Sequence, residues 1–448
     1  MERNEAKLKL KEMGGEEGFT FIDEKGKEKV SIQKISCHLI KEHNFITIHG
    51  DRNKEVYVYE NGIYSKRGKE IIETNTEDKL QSFCSSHVVQ EVMKKITRRT
   101  ATDRKIFDNI PTELICVENG VLNIKTKETY DFSPTFPFKI KLPLKFDKAK
   151  KCDKIIKFLE ETCYPQDIPV IQEWLGFCLY RRHFIKKAII LFGEKNTGKT
   201  VFMNLISKFI GEENCSGISL QRIASKDKFA LASLYNSYAN IYDDLSLHDL
   251  NDSGGFKIAT GGGYITAEYK FGDSFIFMPF AKNIFATNKI PNVKDINDDA
   301  YYERWIPIPF DNQISDQDMD PFLFDKLTTE EEMSGLLNWA LEGLERILKN
   351  RKFSFDKSSD EIKTIMLRQN NPLVAFADEV LLQEDGNKIS KETMFQVYTK
   401  WCEEKKVPRL TKTQLGRSLE KYAHYLIAKG GNERVWLNVK IADGYDTF

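Results

Sequence analysis

A chain of 448 residues is longer than one ordinary hydrophobic core sustains, so two to four domains are expected. Hydrophobic residues at 41% and charged residues at 30% describe a soluble globular protein, and no apolar run approaches bilayer length, which excludes a helical membrane protein. The 67 basic and 67 acidic residues cancel, so any argument for nucleic acid must be local.

The N-terminus, Met1-Glu2-Arg3-Asn4-Glu5-Ala6-Lys7, has no hydrophobic signal region, and a cytoplasmic location is expected, in the host cytoplasm if the source is a virus or plasmid. The eight cysteines form no C-x-x-C pair, which argues against a zinc site. Cys37 and His38 sit on an apolar helical pattern with His43 close by, and packing explains them better than metal ligation.

After a polar lead-in, residues 32–40 show helical spacing, and residues 45–48 and 56–59 read as strands, the second running into an Asn61-Gly62 turn. Residues 77–105 look helical and end in Lys94, Lys95, Arg98, Arg99, Arg104 and Lys105. A solvated charged face is the commoner meaning of such a run, with phosphate contact second. Residues 114–124 form a hairpin around Asn119-Gly120. Residues 152–183 return to helical spacing, with Phe158, Leu159, Trp174, Leu175, Phe177 and Leu179 as candidate core.

Next comes the apolar run Ala188-Ile189-Ile190-Leu191-Phe192, then Gly193-Glu194-Lys195-Asn196-Thr197-Gly198-Lys199-Thr200, then a helical face of Val201, Phe202, Leu205, Ile206 and Phe209. Strand, glycine-bounded loop and helix are the context of a phosphate-binding loop. Loop N–H groups cradle phosphate oxygens, Lys199 reaches the outer phosphates, and Thr200 offers its hydroxyl to Mg²⁺.

A second buried strand, residues 238–242, ends in Asp243-Asp244, one carboxylate for the Mg²⁺ shell and one to orient the attacking water. A third, residues 283–287, leads to Asn288, an amide at a strand tip that either contacts a terminal phosphate or water, or starts the turn before Pro291. Between them, Gly261-Gly262-Gly263 precedes a hairpin over residues 264–279 with Tyr269, Lys270 and Phe271 near its turn, a composition suited to gripping a single strand. Lys257 is a second candidate DNA contact. Arg304, ahead of the apolar strand 305–310, is either a surface charge or an arginine finger for a neighbouring subunit.

Beyond a helix around residues 336–348 and a basic linker over 349–357, a last unit starts near Asn371-Pro372. It reads as helices over 373–382, 391–404 and 412–421, then a hairpin around Gly430-Gly431-Asn432, which suggests a winged helix. Residues 386–440 hold 12 Lys and Arg against 5 Glu, with Lys412 and Arg417 on the candidate recognition helix, which argues for nucleic acid, the alternative for a winged helix being a protein-docking module.

In this order and spacing the chain resembles a superfamily 3 helicase, specifically the helicase part of the poxvirus-type and phage/plasmid primase-helicases. The likeness is carried by the loop 193–200, Asp243 and Asp244, the hairpin, Ala286-Thr287-Asn288-Lys289-Ile290-Pro291 and Glu303-Arg304-Trp305. Upstream it extends to Val117-Glu118-Asn119-Gly120, Phe132-Ser133-Pro134 and Gln172-Glu173-Trp174-Leu175-Gly176. Lys195 and Thr197 replace residues common in the family loop, and Glu303 stands where a second arginine often lies.

An α/β fold is expected, with an N-terminal α+β region (1–150), a helical segment (151–186), a P-loop ATPase domain (187–350) that the resemblance implies is AAA+-like, and a C-terminal winged-helix-like domain (371–448) that matches the family only in general character. The resemblance also implies ATP and Mg²⁺, a ring of like subunits, most often a hexamer, 3′ to 5′ travel on single-stranded DNA at a fork, and a separate primase or polymerase as partner. The chain has no separate stretch for nucleotide polymerisation, so the helicase part alone is expected. Two other classes fit the same residues: a non-unwinding AAA+ origin-binding or DNA-loading ATPase, and a P-loop enzyme acting on a small molecule.

Overall fold

The computed structural model describes residues 18–48, 54–245, 250–270, 272–287, 298–313, 320–370, 372–405, 407, 409–423, 427–429 and 435–445. A hairpin of β1 (Thr20–Ile22) and β2 (Glu28–Val30) precedes α1 (Ile32–His43), which is N-capped by Ser31. Then follow β3 (Phe45–Ile48), β4 (Val56–Glu60), β5 (Ile63–Ser65), α2 (Gly68–Leu80), α3 (Ser86–Arg99) and β6 (Ala101–Thr102), the strands pairing in the order β5-β4-β3-β6. The single helical stretch expected over 77–105 is broken: Gln81 turns the chain at φ +43°, and the Ser85 hydroxyl accepts the Val88 N–H to start a new helix. A second small sheet holds β7 (Leu114–Val117), β8 (Gly120–Asn123) and β9 (Thr129–Tyr130), around the expected Asn-Gly turn.

α4 (Asp153–Thr162) and α5 (Ile168–Leu179) lead into β10 (Ala188–Phe192), α6 (Lys199–Ile210), β11 (Cys215–Ser216), α7 (Leu220–Ala224), α8 (Lys228–Leu231) and β12 (Ala239–Tyr242). After these come α9 (Gly254–Gly261), the hairpin strands β13 (Ile265–Glu268) and β14 (Ser274–Phe277), β15 (Lys282–Thr287), α10 (Asp299–Tyr302), β16 (Trp305–Pro309), α11 (Leu323–Leu327) and α12 (Glu330–Asn350).

The central sheet runs β11-β12-β15-β10-β16, every neighbouring pair parallel. β10 lies inside it and is buried along its whole length, which is why its sequence is an unbroken apolar run rather than an alternating one. Ile189 and Leu191 join Trp174, Phe202 and Ile206 on one face, while Ala188, Ile190 and Phe192 join Phe256, Phe285 and Trp305 on the other.

α5 is buried almost all round and lies backbone-close against α12. A Cβ on Gly176 would stand 2.2 Å from the Ala340 carbonyl oxygen, and one on Gly343 2.4 Å from that of Gln172. The two glycines therefore set the helix separation. Across this contact the fully buried Glu173 carboxylate accepts from Arg346 Nε at 2.5 Å and from Ser354 N and Oγ at 2.7 Å each. Glu332, also on α12, accepts the Lys154 and Ile155 N–H groups at 3.4 and 3.3 Å and so satisfies the first turn of α4. α4 is thereby anchored beside the start of α6, where the site lies.

The C-terminal stretch comprises α13 (Ser359–Asn370), α14 (Pro372–Val380), β17 (Leu381–Ser390), α15 (Lys391–Glu404), α16 (Lys412–Tyr422), β18 (Ile427–Lys429) and β19 (Val435–Ile441). Its sheet runs β17-β19-β18, all antiparallel, over a core containing Phe376, Tyr398, Trp401, Leu419 and Trp436. β17 was not expected. The helix ends at Val380, and the chain runs extended because Leu381–Gln383 and Lys388–Ser390 pair with β19, a long-range contact without a local signature. The expected turn at 430–432 lies outside the described residues.

Candidate active site

The loop after β10 is shaped by its neighbours. Gly193 has φ +150°, and a Cβ there would lie 2.1 Å from the Phe310 carbonyl oxygen, so no side chain fits between the loop and the segment leaving β16. Gly198, left-handed at φ +90°, turns the chain into α6, whose first-turn N–H groups have no intrahelical acceptor. Thr197, almost wholly buried, donates its hydroxyl to the Glu194 carbonyl at 3.1 Å.

Lys199 is 8% exposed, and its ammonium folds back onto the loop, donating to Gly193 O at 2.9 Å, Glu194 O at 2.6 Å and Thr197 Oγ1 at 3.2 Å. Burial pulls its pKa below the ordinary lysine value, opposed by the attraction of Asp243, Glu194 and Asp311.

Because β10, β12 and β15 are parallel and in register, their carboxyl ends converge. Asp243 follows β12 and Thr287 ends β15 beside Phe192 of β10. The Thr200 hydroxyl donates to Asp243 Oδ2 at 3.3 Å, and Asp243 Oδ1 accepts the N–H of Asp244 at 2.9 Å. These residues and the loop line a cleft of about 1380 Å³. Hydroxyl and carboxylate oxygens are the hard donors that Mg²⁺ takes, and one or two protein ligands beside phosphates are its usual complement. A hydroxyl and a carboxylate placed together at the start of a helix therefore fit a Mg²⁺–triphosphate.

Sequence reading missed the other wall of this cleft. Phe158 and Thr162 of α4 face it, as do Leu323, Phe324 and Leu327 of α11. Phe158 was read only as core, and Phe322-Leu323-Phe324 lies in no motif. Its one signal is an apolar trio directly after Asp320-Pro321.

Arg304 lies at the other end of the sheet. Its carbonyl accepts the Ala188 N–H at 2.7 Å, five residues before Gly193, which separates it from its own loop by about 16 Å at the usual strand rise. Its Nη1 donates to the Ala300 carbonyl, and its buried Nε meets no acceptor among the described residues.

Among the expected DNA contacts, Tyr269 stacks on Phe275 at 5.0 Å, beside Lys270 at the tip of the β13–β14 hairpin. Lys257 is not on the hairpin: it lies on α9, paired with Asp298 at 2.9 Å. Lys412, exposed, opens α16 and pairs with Glu392, in a turn closed by a Thr411–Gln414 capping box, and Arg417 is exposed on the same helix. Phe271 and Asn288 lie outside the described residues. Among the described residues no cluster of three His, Cys, Asp or Glu side chains could hold a metal, and no helix is long and apolar enough to cross a membrane.

A central parallel strand, a glycine-bounded loop on a helix N-terminus and an acid at the end of a second strand define a P-loop nucleoside-triphosphate-binding domain. More particularly, models of known families match three parts of the chain: "D5 N terminal like" over residues 23–164, a family of unknown function (DUF5906) over 191–304, and "Poxvirus D5 protein-like" over 368–447. The poxvirus D5-like relationship that the motifs imply is therefore shown, from both ends of the chain.

No curated protein matches the sequence. Among solved structures, the chain is similar to those of the NrS-1 C-terminal region in its apo form. One, at 13% identity and a TM-score of 0.49, covers 91% of this chain and 98% of its own. Another, at 14% identity and a TM-score of 0.48, covers 89% of this chain and 87% of its own.

Proposed function

We propose that the chain is an ATP-dependent DNA helicase of the superfamily 3 type, acting as a ring, most often a hexamer, that moves 3′ to 5′ along single-stranded DNA at a fork. One observation carries this reading: the chain holds Lys199, Thr200 and Asp243 at the carboxyl end of its sheet and Arg304 about 16 Å away at the amino end. Half of the catalytic set then comes from the next subunit, and closed rotational symmetry repeats that contact around a ring. The sheet order β11-β12-β15-β10-β16, which is 2-3-4-1-5 counted from the loop strand, supports an AAA+-like domain over 187–350.

In this reading the Lys199 ammonium leaves its three loop acceptors for the outer phosphates, and the N–H groups of residues 194–200 hold the rest. Bound Mg²⁺ supplies neutralisation of phosphate charge, and Thr200 and Asp243 are the residues to hold it. Asp244 and Asn288 orient water, and Arg304 acts in trans. The nucleobase takes the apolar wall of Phe158, Leu323 and Phe324. Tyr269, Lys270 and Phe271 grip the single strand.

From α14 onward the C-terminal order, helix, strand, two helices, two strands, supports a winged-helix reading. It supports duplex contact through Lys412 and Arg417, with the N-terminal region (1–150) and helical segment (151–186) as separate parts. A separate primase or polymerase would complete the replication machinery.

Strand displacement tests this. The purified chain with ATP and Mg²⁺ should separate a forked substrate bearing a 3′ tail, and Lys270→Ala should keep basal ATPase while losing DNA-stimulated unwinding. ATP turnover with no strand separation on any fork would favour the loading ATPase instead.

A further inference from the structure

The face of the β13–β14 hairpin that carries Ile276, 67% exposed, is open, as are the flanking Tyr264 and Met278. The other face is seated on residues that the ATP-site argument does not use. Phe275 and Phe277 of β14 each meet the edge of Tyr235, which precedes β12, at 5.3 Å, and Phe275 also carries the stacked Tyr269. Behind Tyr235 lies the N-terminal region. Lys139 donates to the Tyr235 hydroxyl at 3.2 Å, and its ammonium stands 4.6 Å from the Tyr235 ring and 4.5 Å from the Phe107 ring. Lys66, just beyond β5, lies 5.9 Å from the Tyr269 ring and 6.0 Å from that of Tyr57. Glu55 fixes these groups, accepting from Lys66 at 2.7 Å, Tyr57 at 2.8 Å and Arg104 at 2.9 Å.

The chemistry of this joint is unusual for a static interface. Lys139 is held by aromatic faces and one phenol oxygen rather than by a carboxylate in hydrogen-bond contact. Attraction between a cation and a ring has no fixed donor–acceptor axis and survives lateral displacement that would break a hydrogen bond. An aromatic row and ammonium groups thus meet at this joint largely without fixed donor–acceptor axes.

We infer that the N-terminal region is the seat of the hairpin: Lys139 and Lys66, bearing on Tyr235 and Tyr269, against which Phe275 packs, set where the hairpin stands and pass its movement to the sheet that carries Tyr57. The inference rests on the reading of the hairpin as the DNA-gripping element only for its consequence in unwinding. The seating itself does not depend on it.

The test is amide hydrogen exchange on the full chain at about pH 6, below the value of about 7 to which burial brings Lys139 so that it carries its charge, without DNA or nucleotide, on Lys139→Ala and Tyr235→Phe. Exchange in residues 265–268 and 274–277 should quicken by about tenfold in Lys139→Ala and less in Tyr235→Phe, while residues of β10 and α12 keep their protection. Basal ATPase should hold and its stimulation by single-stranded DNA should fall severalfold. Hairpin exchange at the wild-type rate in both variants overturns the seat. If Lys139→Ala loses protection everywhere, Tyr235→Phe decides alone. Quickened exchange in a protein whose wild-type ATPase ignores DNA leaves the seat standing and overturns the DNA reading.

Discussion

The cations at both ends of the central sheet donate to main-chain carbonyls, but only the carboxyl end adds a cleft beside them. At the carboxyl end Lys199 borders a cleft, with Thr200 and Asp243 beside it. At the amino end Lys187, Lys282 and Arg304 all donate to main-chain carbonyls: Lys187 to Glu303 at 2.6 Å, Lys282 to Tyr180 at 2.8 Å and Phe280 at 2.5 Å, and Arg304 to Ala300. The parallel topology causes the asymmetry. Every strand delivers its following loop to one end, so ligand-binding groups accumulate there, and the other end receives connections that need tying down. Lys282, fully buried over the Phe177 ring at 4.4 Å, is such a tie. Arg304, half-buried, has an Nε that meets no acceptor among the described residues.

If the two ends are halves of one site, breaking either should stop turnover in different ways. Lys199→Ala should lose ATP hydrolysis to background together with tight nucleotide binding, and normal turnover by that variant would remove the loop assignment. Arg304→Ala should keep nucleotide binding and lose about 10³-fold in kcat. Mixing the two inactive proteins sharpens the comparison. Random assembly pairs an intact Lys199 with a neighbour's intact Arg304 at about a quarter of interfaces, so activity should return in proportion. A mixture as dead as its components would mean that Arg304 belongs to the fold and not to a neighbour's site.

The tying role of the amino end has its own signature in pH. Burial brings Lys282 down to about 7 from the usual 10.5. Between these values the unfolded chain holds a proton that the folded chain has released, so stability rises with pH through that window, by up to about 1.4 kcal/mol per pH unit from this group. Below about pH 7 both states are protonated and the contribution is flat. Lys282→Met should flatten the slope of chemical-denaturation stability between pH 7 and 9. An unchanged slope would assign it to another group, with Lys139, also brought to about 7 by burial, next.

How much of this was legible depends on how local its cause is. The loop 193–200, Asp243 and the β13–β14 hairpin were readable because each depends on a few adjacent residues and on the periodicity of its flanks. The short strand β11 and the long strand β17 were missed because each exists through a distant partner, β12 and β19 respectively. Lys257 looked available for DNA because its partner Asp298 lies 41 residues away. The joint around Lys139 was invisible for the same reason: Glu55, Lys66, Arg104, Lys139 and Tyr235 share no motif and meet only through the fold.

The smallest effect expected concerns the cleft wall that sequence reading missed, and it separates binding from chemistry at the carboxyl end. Phe324 is partly exposed on α11 and offers only an apolar ring to the cleft, so truncating it removes apolar contact without removing a phosphate or Mg²⁺ ligand. An interaction made equally in the ground and transition states changes KM and leaves kcat alone. Phe324→Ala should therefore raise KM for ATP by about tenfold at constant kcat, the loss that a partly buried aromatic face gives. It should also narrow any preference among nucleotides that differ only in the base, since phosphate contacts cannot tell them apart. A fall in kcat at unchanged KM would instead place Phe324 among the groups that position the loop. Phe158, which already lies 3.3 Å from the place of a Cβ on Gly198, would then be the better candidate for the base contact.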